Sequence, residues 1–440
     1  MKFDLRLLLL LVPSVAWATD LLEAYGDALT YDAQFVAAKA SLAAGLEKLP
    51  QGRAGLLPVL GLSANSTKND TNYKSQPSTG VIVTKYNSSG WGVSLTQPLF
   101  RWQNWETYRQ SELAAALAET QYAQAQQELM LRVVQSYFDV ILGQEFLLAA
   151  TAQKAALAEQ LAATRRGAEL GTASPTDTQE TLARYDLALA QEAMAANDLT
   201  IKRRALKLLT GKEANQLKKL KPALSIARPL PDNDSEWAAS AERGSLATLI
   251  AQANFEIAAR EVAKQRAGHL PTVDLVANRG RTTQDSTLVA SFVYPGNETT
   301  SSTLGVQLSL PLFAGGSTAS RDREAVALRD KAQADIDHAK RQAGLQAVQA
   351  YFGVTSGLAQ IRALEQGLDA AKTLLEAAKF GYKIGMRPNL DVLNAEQQLY
   401  SNWRDLAKAR LETLVAQVRL RAAVGLLNSD DLGQVNALLE

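Results

Sequence analysis

The sequence predicts a mainly α-helical, internally duplicated chain in which long coiled-coil helical hairpins are joined to a small β portion of four strands. Three observations predict it. Motifs recur at a nearly constant offset along the 440 residues. Strand-like segments in each copy alternate apolar and small polar side chains at period two. A long heptad-like stretch then follows them in each copy.

The duplication is read from matched positions. Gly167 falls on Gly381, Gly171 on Gly385 and Asp177 on Asp391, each 214 apart (381 − 167 = 214). Gly211 and Gly425 keep that spacing, while Pro98-Leu99-Phe100 and Pro311-Leu312-Phe313 are 213 apart, as are Pro58 and Pro271. The expected organisation is a signal peptide at 1–18, a first repeat at 19–211 and an irregular bridge at 212–235. A second repeat at 236–426 and a tail at 427–440 complete it.

The amino terminus reads as an export signal. Lys2 and Arg6 precede the apolar run Leu7 to Val12, and Ala16-Trp17-Ala18 has the small-x-small form of a cleavage site. Removing it lowers Lys plus Arg from 46 to 44 and Asp plus Glu from 45 to 44. A neutral mature chain gives no reason to expect nucleic acid as a partner. The sequence has no cysteine, which excludes disulfides, thiolate metal sites and a lipid on an N-terminal cysteine. No apolar run after the signal is long enough for a transmembrane helix, so membrane insertion requires a β-barrel.

Each repeat opens with an Ala/Leu-rich helical segment, Asp20 to Gly52 and Glu236 to Gly268. Pro58 and Pro271 end these segments, and Pro98 and Pro311 mark the return from strands to helix, making four strand–helix junctions. The strands lie at about 58–98 and 271–311. Leu304, Val306, Leu308 and Leu310 alternate with Gly305, Gln307 and Ser309, and Gly92 to Thr96 alternates likewise. That pattern suits a membrane barrel with a wet lumen; a half-buried soluble sheet would show it equally. Lys68 to Ser89 and Arg279 to Thr303, rich in Ser, Thr, Asn, Gly and Asp, are expected to be long exposed loops. Trp91, Phe100, Trp102, Trp105, Phe292, Tyr294 and Phe313 gather beside the strands, as aromatics do at a membrane interface.

The long hairpins come next, at about 103–211 and 318–426. Leu113, Ala116, Thr120, Ala123, Gln127, Met130, Val134, Tyr137 and Ile141 step by three and four through the first long helix. The last helix carries two stripes. One holds Leu390, Leu393, Tyr400, Ala407, Leu411, Leu414 and Val418; the other holds Val392, Ala395, Leu399, Leu406, Ala409, Ala416 and Leu420. Two seams mean neighbours on both sides, as in the wall of a cylinder. The four glycines Gly167, Gly171, Gly381 and Gly385 mark the turns at the hairpin ends, and Pro175 and Pro388 suit the first position of each returning helix.

Four strands cannot close a barrel; two chains would supply eight and three would supply twelve. On the paired tip motifs, the two Pro-Leu-Phe triplets and Pro-Leu-Phe-Ala-Gly-Gly at 311–316, the chain resembles the TolC family of outer-membrane export ducts over essentially its mature length. The resemblance implies a homotrimer with a twelve-stranded barrel in outer-membrane lipid and a long α-helical tunnel across the periplasm. It also implies a periplasmic adaptor (membrane fusion) protein and an inner-membrane transporter of ABC, RND or MFS type, with no cofactor. By the same resemblance Asp391 and Asn394 form the pore constriction, where the best-known member has two acidic residues. Thr176 and Asp177 meet Tyr382 and Arg387 as tip gate contacts. Asp391 and Asn394, three apart, share a helix face, and a side chain facing a threefold axis becomes a ring.

His269 and His338 stand far apart, and no nucleophile–base pair, phosphate loop or carboxylate dyad occurs, so no enzyme and no metal site are read here. The function expected is a passive exit duct of a tripartite efflux pump or type I secretion system. The competing reading is a periplasmic coiled-coil adaptor or scaffold with no pore.

Overall fold

A computed structural model describes residues 19–74, 81–171, 174–213, 216–221, 226–289 and 292–440. The signal peptide expected at 1–18 lies outside them. The chain divides into two compact units: Met1–Ala40, Tyr122–Leu249 and Ala339–Glu440 in one, Ser41–Gln121 and Ile250–His338 in the other.

The elements follow one another as three short helices, two strands and a helical hairpin, and then a comparable series. The first series is α1 Leu21–Tyr31, α2 Ala33–Leu46, α3 Lys48–Ala54, β1 Val59–Lys74, β2 Val81–Phe100, α4 Trp102–Glu169 and α5 Pro175–Thr210. The second is α6 Asp234–Gly244, α7 Leu246–Arg266, β3 Thr272–Gln284, β4 Thr287–Val289, β5 Phe292–Tyr294, β6 Asn297–Ser309, α8 Ser317–Lys383 and α9 Asn389–Ala423. A terminal helix α10, Ser429–Asn436, follows.

The sheet unit is antiparallel in the order β1-β2-β3-β6, with β4 and β5 as a separate small hairpin. Register decides its two faces. The row Leu60–Leu95–Ala277–Leu304 runs across all four strands, and the neighbouring row Gly61–Ser94–Asn278–Thr303 points the other way. At this level of the sheet one face is apolar and the other polar, while further along the first face Arg279 and Arg281 follow. Asp274 of β3 is buried and accepts from Arg101 Nε at 2.8 Å and Nη2 at 2.6 Å. This forked pair ties the sheet to the start of α4.

Of the segments expected as long loops, 68–74 belong to β1 and 81–89 to β2, and much of Arg279 to Thr303 to β3 and β6, while 75–80 and 290–291 lie outside the described residues. The ladder bonds use backbone groups, so Asn-, Thr- and Ser-rich segments pair as well as apolar ones when both faces are wet. Pro58 and Pro271 directly precede β1 and β3, and Pro311 follows β6. Pro98 lies inside β2 rather than at its end, where the pairing shifts between Pro98 and Phe100. A residue without an N–H is accommodated at such an irregularity.

The other unit holds the main core. Leu21, Tyr25 and Ala28 of α1 pack with Leu129, Met130, Val133, Val134, Tyr137 and Ile141 of α4 and with Leu411, Leu414 and Val418 of α9. Tyr137 donates to the carbonyls of Thr19 at 3.1 Å and Lys218 at 3.2 Å, so a fully buried ring keeps its hydroxyl satisfied. In the part of α4 that belongs to the sheet unit the stripe drifts: Ala115 and Ala118 are buried while Ala116 is exposed. A straight helix of 3.6 residues per turn leaves a strict heptad line within a few turns.

Both seams of α9 are occupied. Leu393 meets Leu157 of α4 and Ala188 of α5. On the other side Val392 and Ala395 meet Leu375 and Ala378 of α8, and Leu406 and Ala409 meet Ile361. Gly357 of α8 permits the close approach, since a Cβ there would stand 2.1 Å from Thr413 Oγ1.

Candidate functional site

The ends of the two hairpins lie within one unit and differ in construction. α4 stops at Gly171, φ +71°, and α5 starts at Pro175 behind the N-cap Ser174. Ser174 Oγ accepts from the Thr176 backbone N–H at 3.2 Å, and the Ser174 N–H donates back to Asp177 Oδ2 at 3.3 Å. This is a capping box, and it occupies Asp177 locally. α8 stops at Gly385, φ +76°, with Met386 N–H bonded to Gly381 O at 2.8 Å and Gly385 N–H to Tyr382 O at 3.0 Å. Those two bonds define a Schellman end, which needs a left-handed residue at Gly385. Gly167 and Gly381 sit inside α4 and α8 rather than at the turns. At Gly381 the Arg387 side chain folds over the helix, 3.0 Å from where a Cβ would stand. Pro388 is the N-cap of α9, so Asn389 takes the first helical position expected for the proline.

Asp391 falls in the first turn of α9, where a carboxylate offsets the macrodipole. Arg387 Nη1 lies 3.7 Å from Asp391 Oδ2, both half-exposed. Within the chain, therefore, Arg387 pairs with its own hairpin. Tyr382 is the residue brought near Asp177: burial first, and then the Asp177 charge, pushes its hydroxyl pKa up. Asn394, one turn beyond Asp391, is exposed and accepts from Arg184 Nη2 at 3.2 Å.

Three groups that sequence reasoning missed join the hairpins behind this surface. Asn389 is buried, accepts from Gln160 Nε2 at 2.6 Å and donates to Thr181 Oγ1 at 2.9 Å. Thr181 in turn donates to the Asp177 carbonyl at 2.7 Å. Nothing in linear spacing joins positions 160, 181 and 389, and an Asn beside a helix start reads as a cap. Arg184 also bonds Gln397. Glu396 is buried between α8 and α4, with Lys379 Nζ 3.6 Å from Oε1 and Oε2 without a hydrogen-bond partner among the described residues. Burial raises its pKa; Lys379 lowers it and the Glu159 charge raises it further.

No group of side chains able to hold a metal ion occurs among the described residues. None of their helices is long and apolar enough to cross a membrane. The arrangement offers packing seams, a small amide network and a few charges at a hairpin end.

The family model described as outer membrane efflux protein matches residues 24–212 and 239–426. Outer membrane protein TolC of Vibrio cholerae is 31% identical over 97% of the chain and 95% of the relative. Alkaline protease secretion protein AprF of Pseudomonas aeruginosa is 36% identical over 98% of the chain and 89% of the relative. Among solved structures, the Campylobacter jejuni CmeC outer membrane channel superposes with a TM-score of 0.81 at 18% identity, over 96% of the chain and 90% of its own. The Vibrio cholerae outer membrane protein VceC gives 0.78 at 19% identity, over 92% and 96%.

Proposed function

The chain belongs to the outer membrane efflux protein family, and from that premise we propose that three copies close its sheet into one twelve-stranded barrel. The family and fold are those of channel proteins, and the chain is an outer-membrane exit duct for efflux or type I secretion. The competing reading, a pore-less adaptor, finds no relative among these proteins.

The observation that carries ring closure is the sheet edge. β1 and β6 are the outer strands of the order β1-β2-β3-β6 and run antiparallel to each other. β6 of one copy can therefore pair with β1 of the next in the same sense, a head-to-tail contact that closes into a ring. Unpaired edges cannot persist in lipid. The apolar face supports this: Leu304 is 76% and Leu308 67% exposed in a single chain. Three copies, and not two, follow the family resemblance. A second support is a heptad line on α5, Leu187, Met194, Ile201 and Leu208, all exposed. A seam so regular, left bare, suits a helix of a sister chain.

On this reading the helical hairpins form the periplasmic tunnel, and Asp391 and Asn394 line its constriction. Thr176, Asp177, Tyr382 and Arg387 close the tip, Arg387 exchanging Asp391 for the first hairpin of the neighbouring copy. A periplasmic adaptor and an inner-membrane transporter of ABC, RND or MFS type open it. The chain itself performs no catalytic step. Mass measurement of the detergent-solubilised complex tests the assembly: three chain masses are expected, and a monomer soluble without detergent would overturn it.

A further inference from the structure

The second constriction position carries an amide whose partner is a cation. Arg184 of α5 reaches across to α9, donating from Nη2 to Asn394 Oδ1 at 3.2 Å and from Nη1 to Gln397 Oε1. Both bonds to described residues end on neutral amide oxygens, and the guanidinium makes no ion pair among the described residues, so it is held in place without a direct counter-charge. Asp391, the carboxylate one turn earlier on α9, already lies 3.7 Å from Arg387. Glu180 and Asp177 lie four and seven residues before Arg184 on α5, and the buried Glu396 lines the same cavity as Arg184 beside Gln397.

We infer that Arg184, held by Asn394 and Gln397, sets the charge selectivity of the entrance, offsetting the Asp391 ring so that small anions pass as readily as cations. The inference rests on Asp391 and Asn394 facing the axis. Under threefold symmetry each guanidinium becomes one of three, and fixed charges at a narrowing decide which ions enter. A carboxylate at 394 would have bound Arg184 as an ion pair and removed this effect. The amide keeps the arginine in position without neutralising it.

Reversal potentials of the full-length complex in planar bilayers under a potassium chloride gradient test this, with Arg184→Gln, Arg184→Lys and Asp391→Asn beside the parent protein. Arg184→Gln is expected to raise the potassium-to-chloride permeability ratio roughly three- to tenfold. Arg184→Lys should leave it near the parent value, and Asp391→Asn should lower it. If Asp391→Asn shifts the ratio and Arg184→Gln does not, the constriction stands and the role of Arg184 is overturned. If Arg184→Lys behaves like Arg184→Gln, geometry and not charge is responsible, and the inference fails. If neither Asp391→Asn nor Arg184→Gln moves the ratio, the constriction lies elsewhere and both readings fall.

Discussion

Asn389 of α9 donates to Thr181 Oγ1 of α5 across 2.9 Å, in the buried space between the two hairpins. Gln160 of α4 completes the set from the other side at 2.6 Å, so one amide ties three helices together at the end proposed above as the gated entrance. A satisfied buried amide costs little, whereas its removal orphans both partners. Asn389→Ala should therefore destabilise the hairpin end by about 1–3 kcal/mol and raise single-channel conductance. Thermal unfolding and bilayer recordings of the same complex check the two together; a destabilised variant with unchanged conductance would show that the bond holds the fold and not the gate.

Glu396 makes pH the second lever. Burial raises its pKa, and Lys379, 3.6 Å away, opposes that shift. The sign follows from the raised value. The packed state keeps the proton to higher pH than the unfolded chain, so this stabilising term is complete below about pH 4 and is lost as pH rises through the folded pKa. Glu396→Gln should match the parent at acid pH and exceed it at neutral pH, by roughly 1–2 kcal/mol. Melting temperatures of both proteins between pH 4 and 8 provide the comparison, and a difference independent of pH would refute it.

Long, regular helices wrote themselves plainly into the residue pattern. The two stripes of α9 were legible because thirty-five consecutive helical residues repeat the same spacing often enough to expose two seams, and each found its neighbour. The outer halves of the strands were not legible. Asn69 pairs with Tyr86 and Thr299 with Thr282 in residues that read as loop, because ladder bonds leave no mark on side-chain type. At the site, Gly171 and Gly385 announce the turns by their conformational freedom, yet the Gln160–Asn389–Thr181 network depends on three distant segments meeting. Arg184 was hidden for the same reason: its two acceptors sit more than two hundred positions away.

The bare heptad line on α5 supplies a prediction about assembly. Met194 is 71% and Ile201 66% exposed in the single chain, so replacing them costs the isolated fold little. If sister helices cover them, a charge there must be buried without a partner. Met194→Lys and Ile201→Lys together should shift the detergent complex from three chain masses toward one, with helix content by circular dichroism unchanged. Full assembly of the double variant would remove α5 from the interface.

Arg387 and Asp177 separate gating from stability. The Arg387–Asp391 pair is half-exposed at 3.7 Å, and pairs of that kind contribute under about 1 kcal/mol. Arg387→Ala should therefore leave the melting temperature within a degree or two of the parent. Its conductance should nevertheless rise if Arg387 closes the tip as proposed, because each of three copies would lose a tip contact at once. Asp177 does a second job, receiving the Ser174 N–H in the capping box of α5. Asp177→Ala should raise conductance as well, but with a loss of about 0.5–2 kcal/mol from the uncapped helix. Two variants that open the channel equally while differing in stability would place both residues in the gate. Unchanged conductance in both would take them out of it and leave Asp177 as a cap alone.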